Sequence, residues 1–347
     1  MRVNVAVVGL DRLSTSFALA LKRYQESPKA EHTFNIIGRD LRGQAMKEAA
    51  KLGALDNFNR KLQSAVAQAD LVLVNVPPSQ LRELYARLGG ALKSGAVVLD
   101  MTPLKRPVLG WANEFFPRND EGQPLAYVVG ITPIVNISGL YHGDREVQSA
   151  RADLFQNAEV LIAADAACPA GAISLAEDVV RLVGAKPRFI DPVEHDGLIA
   201  ATEGLPALTG VALFDTLRQS EGWPELRRMV NPALALMFQA LRDYSAEDMI
   251  AFFSLSREDV LRHMEGLLRT LETLRDVLAE EAEDGEYLKL EAYLERVAQD
   301  WEQWEVKRHS GEWEKGTAAQ TMPGPFGGLG RFLTLRRADN DNHDTHA

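Results

Sequence analysis

Gly9-Leu10-Asp11-Arg12-Leu13-Ser14 stands between an apolar run, Val3 to Leu10, and a stretch with one apolar face, Ser14 to Arg23. A strand, a tight turn and a helix in that order form an anion-binding device. The turn admits a phosphate to backbone N–H groups, and the helix N-terminus favours negative charge. Of the three glycines such a turn uses, G-x-G-x-x-G, only the first, Gly9, is present. Asp11 holds the second position, where a side chain and a charge would both oppose a pyrophosphate. Two unit charges about 4 Å apart at an effective dielectric near 20 repel by about 4 kcal/mol, a weakening of about a thousandfold. Asp11 also suits a helix N-cap, accepting the backbone N–H groups a pyrophosphate would take. Arg12 would restore attraction if it turned toward the crevice.

The second strand ends Ile36-Ile37-Gly38-Arg39-Asp40. A carboxylate there can accept from the hydroxyls of an adenosine ribose, so Asp40 favours NAD. Arg39 and Arg42 keep NADP open, because a guanidinium can pair with its extra phosphate. After the third strand, Asn75-Val76-Pro77-Pro78 would pass the nicotinamide-ribose side of a dinucleotide, with Pro77 in contact. Candidate cofactor-binding residues are Gly9, Asp11, Arg12, Asp40 and Pro77, and the expected cofactor is NAD or NADP.

These residues need a sheet to hold them. Short Val- and Ile-rich runs recur at Val3 to Leu10, Thr33 to Gly38, Leu71 to Val76, Ala96 to Met101, Tyr127 to Ile131, Val160 to Ala163 and Pro187 to Ile190. Helical patterns separate the early ones. The expected fold is α/β, a doubly wound Rossmann-type, mainly parallel sheet followed by an all-helical dimerisation domain. Helices are expected from His195 to Leu217, Trp223 to Tyr244, Arg257 to Glu281 and Glu286 to Arg308. The expected domains are 1–192, dinucleotide-binding, 193–308, helical, and 309–347, a flexible Gly-, Pro- and Asn-rich tail. Trp301 and Trp304 read as packing residues, and the acidic run near Gly285 as a solvated face.

Four stretches together resemble the prephenate and arogenate dehydrogenase family: Ala69 to Pro78, Val98 to Lys105, Val129 to Ile134, and Asp191-Pro-Val-Glu-His-Asp-Gly-Leu-Ile-Ala200. The last matches a His-Asp pair followed by an Ala and a Leu-Pro step, here His195, Asp196, Ala200, Leu205 and Pro206. The resemblance spans roughly residues 1 to 245 and identifies the chain as a divergent member. It implies NAD(P)-dependent oxidative decarboxylation in tyrosine biosynthesis and a homodimer formed through the helical domain.

The chain departs from the family at the reacting centre. The family's His-Pro-Met histidine, which takes the substrate's hydroxyl proton, is Thr132 here, a residue that cannot act as a base near neutral pH. A family serine is Pro103, although Lys105 remains, and a family histidine is Ala207. Thr132, Lys105 and His195 are therefore the candidate catalytic residues, with His142 a further histidine in a loop. Arg228 falls near the family's substrate-carboxylate arginine. The alternative is a catalytically impaired pseudoenzyme acting as a dimeric binding or regulatory protein. Asp100-Met101-Thr102 also suits β-hydroxyacid dehydrogenases, against which the His195-Asp196 segment argues.

Composition narrows the partners. With 347 residues, 46% hydrophobic and 25% charged, the chain can bury a large core. A net charge of −11 disfavours nucleic acid and anionic membranes and leaves a small-molecule substrate, expected to bear a carboxylate. One cysteine, Cys168, permits no internal disulfide. The N-terminal apolar run is short for a secretory signal, and no later run reads as a spanning segment, so the expected location is cytoplasmic. No metal ligand set is expected.

Overall fold

A computed structural model describes residues 1–135, 144–279, 287–311 and 313. Eight strands form one sheet: β1 (Arg2–Val8), β2 (Thr33–Arg39), β3 (Asn57–Phe58), β4 (Leu71–Val74), β5 (Val97–Asp100), β6 (Tyr127–Ile134), β7 (Glu159–Ala164) and β8 (Lys186–Phe189). Their order is β3-β2-β1-β4-β5-β6-β7-β8. All neighbours pair parallel except β6 and β7, which run antiparallel. The chain reverses direction across the sheet between β1 and β4, which opens a crevice at the carboxyl ends of these strands.

Both faces of the sheet are covered because alternate side chains point to opposite sides. Val5, Val7, Leu71, Leu73, Val97 and Leu99 pack with Phe17, Leu21, Phe155 and Val180 on one face. Ala6, Val8, Val72, Val74 and Val98 pack with Leu62, Leu84, Tyr85, Leu88 and Val108 on the other. Near-continuous Val and Leu runs are therefore what a strand buried on both sides requires. All seven strands expected from sequence are present, and β3, only two residues long, is the addition.

The helical region departs from expectation in its breaks. The helix starting near His195 is longer, running from Pro192–Ile199 through a π-helical turn, Ala200–Gly204, into Leu205–Arg218. The expected Trp223 to Tyr244 helix is instead three short ones, Trp223–Leu226, Pro232–Met237 and Gln239–Asp243. Asn231 caps the second through its side chain with Pro232 at the first helical position, so the chain restarts there. A helix at Ala246–Leu255 was not anticipated, although Ser245 caps it. Arg257–Ala279 and Leu288–Ser310 complete the elements.

Pro192–Arg218 is long and apolar enough to cross a membrane, with mean hydropathy 1.5, contrary to the expectation that no run would qualify. It nevertheless carries the buried His195 and Asp196, and its Gly210 lies against the backbone of Met237. Of its most apolar stretch 28% is buried within the structure. A small cluster of Leu104, Ile199, Ala200, Phe252 and Val260 joins this region to the sheet.

Two compact units divide the chain at Met1–Arg269 and Thr270–Ala347. Within the second, the Trp301 and Trp304 rings lie 4.9 Å apart on one helix face, both partly exposed. His142 and most of the expected tail lie outside the described residues.

Candidate active site

At the end of β1 the backbone turns through Gly9, whose φ is +87° and whose missing Cβ would lie 2.0 Å from the Asn75 carbonyl oxygen. Only glycine fits both the conformation and the gap. Leu10 N–H then donates to Asp40 Oδ2 at 2.7 Å. Asp11 begins the helix Arg12–Gln25 as a capping box: Ser14 N–H donates to Asp11 Oδ1 at 2.9 Å, and Asp11 N–H donates to Ser14 Oγ at 3.0 Å. Asn75 Nδ2 donates to the same Asp11 oxygen at 2.7 Å. Burial raises the Asp11 carboxyl, against the Ser14 N–H bond and the nearby charge of Arg145. The side chain is a cap, one of the two roles its position allowed.

A cavity of about 1330 Å³ opens over this turn, roomy enough for a dinucleotide. Gly9, Asp11, Arg12, Asp40 and Pro77 all line it, as do Arg42, Pro103, Arg145 and Tyr244. Asp40 is already engaged: besides Leu10 it accepts from Arg42 N–H at 2.7 Å and Arg42 Nε at 3.2 Å. Arg42 also reaches the Leu10 carbonyl. Asp40 therefore offers a ribose less free acceptor capacity than its position promised, and the Arg42 guanidinium remains 58% exposed beside it. The residues fit a dinucleotide in cavity size and helix position, with the Asp11 charge and the engaged Asp40 carboxylate working against it.

Arg145 was not singled out from the sequence. Its guanidinium lies 4.6 Å above the Tyr244 ring, and its carbonyl accepts from Arg12 N–H at 2.9 Å. Its charge acts on both Asp11 and Glu203, and Glu203 hydrogen-bonds Tyr244. Crowding by protein raises the Glu203 carboxyl, opposed by the charges of Arg145 and Lys105. No local pattern marks Arg145, whose role depends on contacts about 100 residues distant.

The three candidate catalytic residues converge. Thr132 Oγ1, on β6, lies 2.8 Å from His195 Nε2. His195 Nδ1 lies 3.0 Å from Asp196 Oδ1. Asp196 in turn accepts from the backbone N–H of Lys105 at 2.7 Å and of Arg106 at 2.9 Å. Burial pushes the Asp196 carboxyl up, but hydrogen bonds from His195, Lys105 and Arg106 outweigh it and hold the group below the usual carboxylate range. Burial lowers the His195 imidazole, partly offset by Asp196. The net effect favours the neutral ring.

Lys105 is wholly buried, and its ammonium donates to the carbonyls of Asp100 at 2.9 Å, Ile131 at 3.0 Å and Thr102. It joins the ends of β5 and β6 instead of facing the cavity, a positioning residue. Asp100 supports the same loop, accepting from Tyr85 Oη at 2.8 Å and Thr102 N–H at 3.0 Å. Arg228 is remote from this arrangement: it is 70% exposed, 3.8 Å from Glu225, and does not line the cavity. Ala207 is buried and Pro103 forms cavity wall, as their side chains dictate. Cys168 is half-buried, with its thiol raised by burial and by Asp165, which disfavours the reactive thiolate. Among the described residues no metal-ligand cluster occurs.

Comparison with known proteins gives four findings. The family described as "Prephenate dehydrogenase, nucleotide-binding domain" matches residues 17–188, starting just after the altered turn. The cyclohexadienyl dehydrogenase of Zymomonas mobilis is 26% identical over 291 residues, covering 82% of this chain and 91% of that protein. The fold is similar to that of Aquifex aeolicus prephenate dehydrogenase solved with hydroxyphenyl propionate and NAD+, with a TM-score of 0.70 and 22% identity, covering 87% and 98% of the two chains. Synechocystis arogenate dehydrogenase is also similar, with a TM-score of 0.61, 16% identity, and coverage of 87% and 99%.

Proposed function

The chain belongs to the prephenate and arogenate dehydrogenase family, and from that membership we propose that it is an NAD(P)-dependent dehydrogenase acting on prephenate, arogenate or a close cyclic carboxylate. The observation that carries this reading is the cavity over the Gly9 turn with the helix N-terminus at its base, alongside the Thr132–His195 hydrogen bond at β6. A nicotinamide dinucleotide bound there supplies the hydride acceptor.

The residues of the chain divide the remaining work. Gly9 admits the pyrophosphate, Asp40 with Arg42 faces the adenosine ribose, and Pro77 borders the nicotinamide side. Because Arg42 occupies Asp40, either NAD or NADP is accommodated. Arg145 supplies a cation within the cavity for an anionic group of cofactor or substrate, a place that the exposed Arg228 does not reach. Thr132 hydrogen-bonds the substrate hydroxyl.

Exposed apolar side chains on the helical region, among them Leu198, Ile250 and Leu261, support a homodimer through this region. A cytoplasmic location follows from the biosynthetic role.

Calorimetric titration with NAD and NADP, followed by assay of nicotinamide reduction with prephenate and arogenate, tests the proposal. Nucleotide binding with turnover of either substrate is the expected result. Binding without turnover would support the impaired, regulatory reading. Absence of nucleotide binding would overturn the assignment of the cavity.

A further inference from the structure

We propose that Thr132, His195 and Asp196 form a proton relay, in which Thr132 touches the substrate hydroxyl and passes its proton to an imidazole held wholly inside the protein. This inference rests on the dehydrogenase reading and supplies the base that reading lacks, since Thr132 stands where a base is needed and cannot be one.

The direction of every hydrogen bond follows from Asp196. Its carboxylate accepts two backbone N–H groups, with Arg106 Nε a further 3.4 Å from Oδ2. An ionised carboxylate only accepts, so His195 Nδ1 carries the hydrogen that faces it. In the neutral ring Nε2 is then the acceptor, and Thr132 Oγ1, 2.8 Å away, must donate to it. The hydroxyl's own lone pairs remain available to a second donor.

Burial decides the route. His195 is fully enclosed, one ring nitrogen facing Asp196 and the other Thr132. Thr132 is partly exposed. The β5–β6 pairing ends with Asp100 opposite Gly130; two residues further along the chain from these stand Thr102 and Thr132, and Thr102 directly precedes Pro103 of the cavity wall. Lys105 fixes that spacing by donating to the carbonyls of Thr102 and Ile131. A proton leaving a substrate in the cavity therefore reaches the imidazole through the threonine hydroxyl.

The step balances. The substrate O–H bond breaks and its proton joins Thr132 Oγ1. The original Thr132 proton joins His195 Nε2, giving an imidazolium beside Asp196. The oxygen's electron pair forms the carbonyl as the C–H hydride passes to the oxidised nicotinamide dinucleotide. For a β,γ-unsaturated acid the carboxylate leaves as carbon dioxide, its bonding electrons entering the ring. Asp196 stabilises the imidazolium without taking the proton.

The charges around the ring set its pH response. Asp196 lies on its own helix, Lys105 and Asp100 approach from the β5 end, and Arg106 acts through Asp196, itself paired with Asp259 of the Arg257–Ala279 helix. Glu203 faces Lys105 from the π-helical turn.

The test uses the full chain and the variants Thr132→Ser, Thr132→Val and His195→Asn. Nitrogen-15 NMR of wild type is expected to show a neutral Nδ1–H ring titrating below the ordinary imidazole value. Thr132→Val is expected to lower kcat at least about a hundredfold with KM little changed, and Thr132→Ser to restore it. The acid limb of the kcat/KM profile should vanish in His195→Asn. Wild-type rates in Thr132→Val, an unchanged acid limb in His195→Asn, or an Nε2–H tautomer each overturn the relay while leaving the dehydrogenase reading intact. Failure of wild type to turn over any substrate with either cofactor overturns both.

Discussion

Asp11 brings a negative charge to the place where a dinucleotide would bring two more, yet its carboxylate is occupied by Ser14 and Asn75, and Arg145 lies near enough to offset it. The repulsion expected from sequence, about 4 kcal/mol, is thereby reduced. Asp11→Asn keeps a capping oxygen and removes the charge, so it should tighten dinucleotide binding by about tenfold in calorimetry. An unchanged Kd would show that the carboxylate is already neutralised. Because burial raises this carboxyl, wild-type affinity should increase as pH falls toward its titration, a trend absent from Asp11→Asn. Asp11→Ala should lose about 1 kcal/mol of stability with the cap, read as a lower urea midpoint. Residue types showed that Asp11 could cap the helix, but not that Asn75, 64 positions away, would share it.

Strands were legible because burial on both faces leaves a continuous apolar run, as in Leu71–Val74 and Val97–Asp100. Helix boundaries were less so, since one apolar pattern runs through Trp223 to Tyr244 while the backbone breaks inside it. The signal for that break, Asn231-Pro232, was present and outweighed by the pattern. Contacts between elements decide the sign of otherwise equal changes. At Gly210 an added Cβ would lie 2.3 Å from the Met237 carbonyl, whereas at Gly266 only the end of Arg269 comes within 4.0 Å. Both lie within helices, where alanine is intrinsically favoured by about 1 kcal/mol. Gly266→Ala should therefore raise the urea midpoint, and Gly210→Ala should lower stability by about 1–3 kcal/mol through overpacking. Equal effects at the two sites would remove the close approach from the account of this fold.

At the scale of the whole molecule, the helical region leaves Leu198, Ile250 and Leu261 between 40% and 65% exposed. Single exposed apolar residues are ordinary, but several on one helical region favour association. The wild type should sediment as a dimer, and Leu198→Glu with Ile250→Glu should shift it toward monomer, checked by sedimentation equilibrium. A wild-type monomer would sink this interface. Sequence alone determined the layered α/β architecture, the Gly9 turn and its likeness to a known family, because apolar periodicity and turn chemistry act over a few residues. It also supplied Thr132, Lys105 and His195 as separate candidates. Only the tertiary structure decided that Lys105 is a buried fastening, that Arg228 lies outside the cavity, that Arg145 lines it, and that Thr132 meets His195. The Thr132–His195 contact spans 63 residues and the Lys105 ammonium reaches Ile131 across 26, separations set by strand register and helix packing over which local pattern carries no directional information.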